Sequence, residues 1–325
     1  MKAIQVSSPG GPEQLQLADV PVPAPGPGQV LIKIAFIGVN YIDTYFRTGL
    51  YKADPPISLG MEASGTVEAV GPDVRGLAPG DRVAYCLTRG SYAEYAVAPA
   101  WQVVKVPEGV ELEAAAAALL QGMTAHYLTH DTYVLKRGDT ALVHAAAGGV
   151  GLLLVQVARM RGARVLATVG SARKAELARK AGADEVILYG EKDFAAEVRD
   201  LTSGRGVQVV YDSVGQATFR KSLECLAPRG MLVCFGQSSG TVPPFELSAL
   251  SPGSLFLTRP TLWHYIPDRP SLLARAGDLF DWIESGKLFI YIGKVLPLEQ
   301  AADAHRLLES RESVGKVLLS TIGQG

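Results

Sequence analysis

Asparagine and cysteine are rare in this chain: its 325 residues include one asparagine, Asn40, and three cysteines. None of the cysteines belongs to a C-x-x-C pair or lies near a histidine at ligand spacing. That pattern argues against a disulfide framework and against a structural zinc knuckle. The N-terminus, MKAIQV, lacks the apolar run of a signal peptide, so the cytoplasm is the expected location.

The chain also has no large excess of positive or negative charge, because its 31 Lys and Arg nearly balance its 32 Asp and Glu. Without a basic field the chain has no general attraction for nucleic acid or an anionic membrane, and neither partner is expected. One stretch, Ala141 to Ala158, approaches the length of a membrane span. His144, Gln156 and a glycine cluster interrupt it, which favours a buried strand, a turn and a helix instead.

The length suits two domains of roughly 100 to 200 residues each. Short alternating runs between turn clusters predict a mostly β domain over residues 1–120. Residues 121–259 alternate apolar strands with amphipathic helices, the pattern of βαβ units and a doubly wound parallel sheet. Residues 260–325 carry two helical patterns and a last strand, and we expect this tail to complete the first domain.

A glycine-rich turn, Ala145 to Gly151, lies between a predicted strand and a predicted helix. Laid on the dinucleotide motif G-x-G-x-x-G, it has Ala146 in the first glycine position. Gly148, Gly149 and Val150 would bring backbone and helix N–H groups to a pyrophosphate. The alternative is a glycine-rich turn with no ligand.

The residue after the second parallel strand distinguishes the two nicotinamide cofactors. An acidic residue there would hold the ribose 2′-hydroxyl of NADH, but the sequence has Gly170, then Ser171, with Arg173 and Lys174 following. Two cations without a carboxylate suit a 2′-phosphate, so the predicted cofactor is NADPH. The alternative is that Arg173 and Lys174 form the solvated face of the next helix.

The segment Gly60-Met61-Glu62-Ala63-Ser64-Gly65, followed by Gly71 and Val74, resembles the G-H-E signature of zinc alcohol dehydrogenases in the medium-chain dehydrogenase/reductase superfamily. Met61 occupies the position of the ligand histidine in that signature, and Asn40 that of a ligand cysteine. The sequence therefore predicts no catalytic metal.

The chain resembles the zinc-free quinone oxidoreductase and ζ-crystallin group over nearly its whole length. The motifs that carry this resemblance are Ile37 to Tyr45, Gly122-Met123-Thr124, Ala145 to Gly151, Asp212 to Gly215, Phe235 to Gly240 and Leu308 to Arg311. The resemblance implies an NADPH-dependent quinone reductase. It also implies a Rossmann domain, a GroES-like catalytic domain completed by the C-terminal tail, and a homodimer.

The same resemblance implies roles for individual residues. Lys174, Tyr189 and Arg311, with Ser171 beside them, would surround the 2′-phosphate. Phe235, Gly236 and Thr258 would line the nicotinamide side, and Asn40 and Thr124 would reach its ribose or carboxamide. Ser213 and Val214 complete the implied cofactor set.

Without a metal, and without the Tyr-x-x-x-Lys of short-chain reductases, the acceptor must stabilise its own negative charge. Quinones and conjugated enones do so as phenolates and enolates. Asn40, Tyr45 and Tyr51 are the candidate catalytic residues, with the two tyrosines donating to the acceptor oxygen. Alternatively, the tyrosines are walls of the pocket and Asn40 supplies a left-handed loop conformation.

Two other functions stay open from the residues: double-bond reduction of alkenals or enoyl compounds, and cofactor binding with little turnover. One partner is expected beyond the substrate. Residues 253–258 follow the fifth parallel strand and would form an apolar sheet edge, which a second copy of the chain would cover.

Overall fold

The computed structural model describes residues 1–322 and contains two compact units. The first unit contains Met1–Met123 and the chain from Ile266 onward, and the second contains Thr124–Tyr265. The sequence-based divisions are at 120/121 and 259/260, a few residues earlier in each case. The chain thus leaves the first unit once and returns to it.

The elements before the second unit are mostly strands. They are β1 (Lys2–Val6), β2 (Gln16–Asp19), β3 (Gln29–Val39), α1 (Tyr41–Arg47), β4 (Ile57–Ser58), β5 (Glu62–Val70), β6 (Arg82–Cys86), β7 (Tyr95–Pro99), β8 (Val103–Lys105) and α2 (Leu112–Tyr127).

Strands and helices alternate in the second unit. They are β9 (Thr140–Val143), α3 (Gly149–Met160), β10 (Arg164–Val169), α4 (Ala172–Lys180), β11 (Glu185–Leu188), α5 (Phe194–Leu201), β12 (Val207–Asp212), α6 (Phe219–Glu224), β13 (Leu226–Cys234) and β14 (Phe256–Thr258). The tail then adds α7 (Arg269–Glu284), β15 (Ile292–Pro297), α8 (Ala301–Glu309) and β16 (Lys316–Ser320) to the first unit.

The first unit is built on a seven-stranded sheet with the order β15-β16-β3-β5-β6-β8, in which β7 also pairs with β3. The tail strand β16 pairs antiparallel with β3, Val317 opposite Val39. Ile32, Ile37 and Leu319 are among the core residues that this sheet buries completely. Each such side chain contributes about 1.5–3 kcal/mol on burial, so the tail is an integral part of this unit.

The second unit contains a six-stranded parallel sheet with the order β11-β10-β9-β12-β13-β14. The chain moves outward from β9 to β11 and then returns to the other side of β9 with β12. This reversal is the topological switch point at which doubly wound sheets bind ligands, beyond the carboxyl ends of the strands. The predicted fold class, a Rossmann sheet plus a GroES-like β domain, is confirmed.

Helix α1 and strand β15 are among the elements that the sequence analysis did not predict, and α2 continues to Tyr127. Gly122 lies inside α2, and a Cβ at this position would lie 2.9 Å from Leu279 of α7. The glycine therefore serves helix packing rather than termination.

Candidate functional site

The turn after β9 has the geometry of an anion cradle. Ala145 has a φ of 49°, and Gly148 precedes α3 in an extended conformation with φ −77° and ψ 174°. A Cβ on Gly151 would lie 2.3 Å from the carbonyl oxygen of Ala145, so the helix touches the turn where only glycine fits. The first N–H groups of α3 have no acceptor within the helix and form the positive end of the helix dipole. They can therefore donate hydrogen bonds to a bound anion.

The turn after β10 presents the predicted 2′-phosphate residues. Ser171 caps α4, since its hydroxyl oxygen accepts from the Lys174 backbone N–H at 3.4 Å. A Cβ on Gly170 would lie 2.6 Å from the Tyr189 hydroxyl, and Tyr189 is 51% exposed. The structure therefore brings Gly170, Ser171, Lys174 and Tyr189 together at the ends of β10 and β11. An acidic side chain at residue 170 would occupy the space beside the Tyr189 hydroxyl.

The ends of β12 and β13 carry the residues expected on the nicotinamide side. Asp212 organises this edge, because its carboxylate accepts from the N–H groups of Val214 at 2.7 Å and Gly215 at 3.0 Å. A Cβ on Gly236 would lie 2.5 Å from the carbonyl oxygen of Ser213, so the two turns are in close contact. Phe235 and Thr258 lie at the same end of the sheet, after β13 and at the end of β14. Thr124 is buried in α2.

His144 follows β9 but is built into the core of the second unit. Its Nδ1 lies 2.8 Å from the Thr168 hydroxyl and its Nε2 lies 2.9 Å from the Ser222 hydroxyl. Burial lowers the pKa of His144, so the imidazole is held neutral. Both ring nitrogens are engaged, so His144 is a buried core residue whose hydrogen bonds are satisfied.

Asn40 lies at the end of β3 in the first unit, where its side chain is 4% exposed. Its Nδ2 donates to the Gly38 carbonyl oxygen at 3.1 Å and to Glu62 Oε2 at 3.0 Å. Its Oδ1 accepts from Gln121 Nε2 at 3.1 Å and from Lys316 Nζ at 2.8 Å. Because an ammonium can only donate and a carboxylate only accept, the orientation of this amide is fixed.

The four hydrogen-bonding positions of the Asn40 side chain are thus filled within its own unit. The alternative of a left-handed loop is wrong, because Asn40 is extended, with φ −134° and ψ 154°. Its backbone N–H donates to Asp43 Oδ2 at 2.9 Å, which fixes the start of α1. A direct contact of Asn40 with acceptor or cofactor stays a prediction.

Lys316 and Glu62 form an ion pair that the sequence does not reveal. Their Nζ and Oε2 atoms are 2.6 Å apart, and the side chains are 1% and 0% exposed. Glu62 Oε1 also accepts from the Leu120 backbone N–H at 2.6 Å. Burying two charges is costly, and extra hydrogen bonds such as these are what make it tolerable. The pair ties β16, β5 and α2 to Asn40.

The two candidate tyrosines lie in an aromatic cluster on α1 and the turn after it. Ring centroids are 5.3 Å apart for Tyr45 and Tyr51, and 5.6 Å apart for Phe46 and Tyr51. Tyr41 joins the cluster 6.3 Å from Tyr45, but its hydroxyl donates to the Leu308 carbonyl oxygen. Burial raises the pKa of Tyr41, and the charge of Arg311 opposes this rise. Arg311 itself is exposed, with φ 62°.

The ligand positions of the related zinc enzymes carry a different donor set. Met61 is buried at 3% exposure, and the Asn40 oxygen is taken by the Lys316 ammonium. Burial raises the pKa of the Cys86 thiol, which opposes the thiolate that a metal needs. Among residues 1–322, no three His, Cys, Asp or Glu side chains are grouped to hold a metal ion. The Lys316 ammonium already lies beside Asn40, so these residues do not fit a zinc ion.

Comparison with known proteins gives two family matches. Residues 26–108 match the alcohol dehydrogenase GroES-like domain, and residues 149–268 match the zinc-binding dehydrogenase family. Within the part of the chain that the structure describes, no helix has the length and apolar character needed to cross a membrane.

Individual relatives are similar over almost the whole chain. The quinone oxidoreductase of Pseudomonas aeruginosa is 46% identical, with 98% of this chain and 99% of the relative aligned. A 2-haloacrylate reductase from a Burkholderia species is 43% identical, with 98% of both chains aligned. The crystal structure of Escherichia coli quinone oxidoreductase complexed with NADPH is 41% identical with a TM-score of 0.96, covering 98% of this chain and 100% of that one.

Proposed function

Because this chain belongs to the quinone oxidoreductase group of the medium-chain dehydrogenases/reductases, we propose that it is an NADPH:quinone oxidoreductase that works without a metal. The observation that carries this proposal is the pair of substituted ligand positions. Lys316 Nζ lies 2.8 Å from Asn40 Oδ1, and Met61 replaces the histidine. An acceptor that delocalises its own negative charge needs no Lewis acid.

The second unit binds the cofactor in this proposal. The N–H groups at the start of α3 bind the pyrophosphate, with Gly148, Gly149 and Val150 allowing its close approach. Lys174, Ser171 and Tyr189 bind the 2′-phosphate, next to Gly170, where an acidic residue would repel it. Ser213, Val214, Phe235, Gly236 and Thr258 flank the nicotinamide. When bound, NADPH supplies the hydride.

In this proposal the chain's own residues position the acceptor and give it an apolar surface that excludes water. The cluster of Tyr45, Tyr51 and Phe46 offers an apolar surface against which a flat quinone can stack. The Tyr45 and Tyr51 hydroxyls are the proposed donors to the acceptor oxygen. The Asn40 network fixes the start of α1, so the cluster does not have to be ordered when the acceptor binds.

A second candidate reaction is reduction of an activated double bond, and one relative favours it. The Burkholderia 2-haloacrylate reductase is 43% identical to this chain, close to the identity of the quinone oxidoreductases. Both reactions deliver a hydride to a conjugated carbonyl compound. Sequence and fold are shared, so only the acceptor distinguishes them.

The experiment is NADPH oxidation against quinones and 2-alkenals compared at equal concentration. The proposal expects quinones to give the larger kcat/KM. Turnover of 2-alkenals alone would replace it with double-bond reduction, and turnover of neither class would leave cofactor binding without catalysis.

A further inference from the structure

Arg89 is an exposed cation beside the aromatic cluster that none of the functions above uses. Its guanidinium carbon lies 5.1 Å from the centroid of the Phe46 ring. Within residues 1–322 it forms no ion pair with any carboxylate and no side-chain hydrogen bond. Arg47, the other guanidinium near this ring's helix, is 1% exposed and bound by Glu309 at 2.7 Å. Arg89 is therefore the one of the two that can bind an anion from outside.

The backbone of Arg89 is held in a fixed turn. Leu87 has a φ of 67° and Gly90 a φ of 107°. The Leu87 N–H donates to the Met61 carbonyl oxygen at 2.7 Å, and the Gly90 N–H donates to the Gly60 carbonyl oxygen at 3.0 Å. Two turns of the first unit are thus joined on both sides of Arg89. Its side chain projects from an anchored position, so ordering it costs little backbone entropy.

The aromatic contacts connect Arg89 to the proposed acceptor surface. Phe46 contacts both Arg89 and Tyr51, and its ring centroid lies 5.6 Å from that of Tyr51 in an edge-on arrangement. Tyr51 in turn lies 5.3 Å from Tyr45. A flat acceptor stacked on this cluster therefore has a guanidinium at one end. A guanidinium is planar, permanently charged and suited to bidentate binding of a carboxylate or sulfonate.

We propose that Arg89 is a specificity residue that binds an anionic substituent of the acceptor, so that the enzyme prefers quinones carrying a carboxylate or sulfonate. This inference rests on the proposed function. In the reaction the quinone gains a hydride and a proton, its two carbonyl groups become hydroxyl groups, and NADPH becomes NADP⁺. The anionic substituent keeps its charge throughout, so Arg89 binds the substrate without entering the chemistry.

The test compares 1,2-naphthoquinone with 1,2-naphthoquinone-4-sulfonate in the wild type, Arg89→Gln and Arg75→Gln. Arg75 is a matched control, since it is also exposed, lies in the first unit and forms no ion pair within residues 1–322. The measured quantity is the ratio of kcat/KM for the sulfonate to kcat/KM for the neutral quinone. Intrinsic reactivity cancels when this ratio is compared between variants.

We expect Arg89→Gln to lower this ratio about fivefold, the upper end for a solvent-exposed charge pair, and Arg75→Gln to leave it unchanged. Calorimetry with 2-naphthalenesulfonate, which is not reduced, should show weaker binding to Arg89→Gln by a similar factor. An unchanged ratio in Arg89→Gln, or an equal fall in Arg75→Gln, would overturn the inference. If no quinone is reduced by any variant, the proposed function fails, and the calorimetric comparison alone decides the role of Arg89.

Discussion

The buried ion pair of Lys316 and Glu62 affects the free energy of unfolding of the protein. Lys316→Met would leave Glu62 without its cation at 0% exposure, which costs about 3–5 kcal/mol for a buried pair. The double variant Glu62→Gln/Lys316→Met removes both charges and should recover most of that loss. Urea unfolding of the three proteins measures this, with the exposed Lys294→Met on β15 as the control.

A Lys316→Met protein as stable as the wild type would contradict this account of the ion pair. So would a double variant no more stable than the single one. Lys294→Met should lie within about 0.5 kcal/mol of the wild type, as surface substitutions usually do.

We also propose that single residues decide the choice of cofactor. Lys174→Ala should weaken NADPH binding about tenfold, or 1.4 kcal/mol, while NADH binding stays nearly unchanged, because only NADPH carries the 2′-phosphate. Fluorescence titration with each cofactor measures both dissociation constants. Lys180→Ala, at the far end of α4, is the control and should alter neither. Equal weakening of both cofactors in Lys174→Ala would show that the lysine does not recognise the phosphate.

At this scale the sequence predicted chemistry better than contacts. Residue type alone shows that Gly170 is not acidic and that Asn40 and Met61 replace the metal ligands. The partner of Asn40 could not be predicted, since Lys316 is 276 residues away in the sequence. A lysine in the apolar strand β16 was the available signal, because a charge there must be paired.

Helices α1 and α8 are joined by a buried chain of hydrogen bonds. Arg47 Nη1 lies 3.1 Å from His305 Nδ1, His305 Nε2 lies 2.9 Å from the Tyr92 hydroxyl, and that hydroxyl donates to Asp43 Oδ2 at 3.3 Å. Since Arg47 can only donate, His305 accepts at Nδ1 and donates from Nε2. The directions of the whole chain follow from this one constraint.

This chain of bonds predicts opposing effects of pH on stability. Burial raises the pKa of Asp43 from 3.8 to about 7, despite the opposing charge of Lys316, so its contribution is lost as pH rises between those values. Burial, with Arg47, lowers the pKa of His305 from 6.5 to about 3, so its contribution is lost as pH falls between those values. In the shared window, pH 3.8 to 6.5, the two slopes oppose each other.

Asp43→Asn should remove one of these slopes. The free energy of unfolding of the variant should then rise with pH between about 3 and 6.5, whereas that of the wild type should be nearly flat from pH 3.8 to 6.5. Urea unfolding at a series of pH values measures both profiles. The complementary variant His305→Gln should instead lose stability as pH rises toward 7. Parallel profiles for wild type and Asp43→Asn would contradict the raised pKa of Asp43.

The alternation of strands and helices in the second unit was predictable from the sequence. Strands β10 and β11 fit the expected alternation of apolar strands and helices, because glycine and alanine turns mark both ends of these apolar runs. Helix α1 was not predictable from periodicity, since its seven residues include two tyrosines, a phenylalanine and β-branched residues. Its start depends on the Asn40 and Asp43 interaction and its end packs through Arg47, which are tertiary effects.

At the scale of the whole molecule, β14 is the terminal strand of the parallel sheet, and among the described strands it pairs with β13 alone. Phe256 on this strand is 52% exposed. An exposed apolar edge strand invites pairing, and a two-fold related copy would cover both edges at once. We propose a homodimer built on residues 250–260, as the family resemblance implies.

Phe256→Asp should weaken this dimer, because it places a charge on the edge that the partner would cover. Light scattering over a concentration series measures the mass of wild type and variant. Leu273→Asp, on α7 of the first unit and 42% exposed, is the control and should remain dimeric. A monomeric wild type, or a Phe256→Asp protein that stays dimeric and fully stable, would show that the edge is protected in another way.

The sequence predicted a parallel sheet built of βαβ units, but it did not predict the order of the strands. The reversal between β9 and β12 places residues 145–151 and 213–214 at one sheet edge, although more than 60 residues separate the two turns. The return of the tail to the first unit was expected from the shortage of helix there. Its pairing partner was not, because many apolar strands could accept β16 equally well.

In the proposed reaction, hydride passes from NADPH to a quinone without a metal. The most direct test is the rate of NADPH oxidation with 1,4-naphthoquinone, measured on protein dialysed exhaustively against a chelator and assayed for zinc. We expect an unchanged rate at far less than one zinc per chain. Loss of activity on dialysis, restored by stoichiometric zinc, would contradict it.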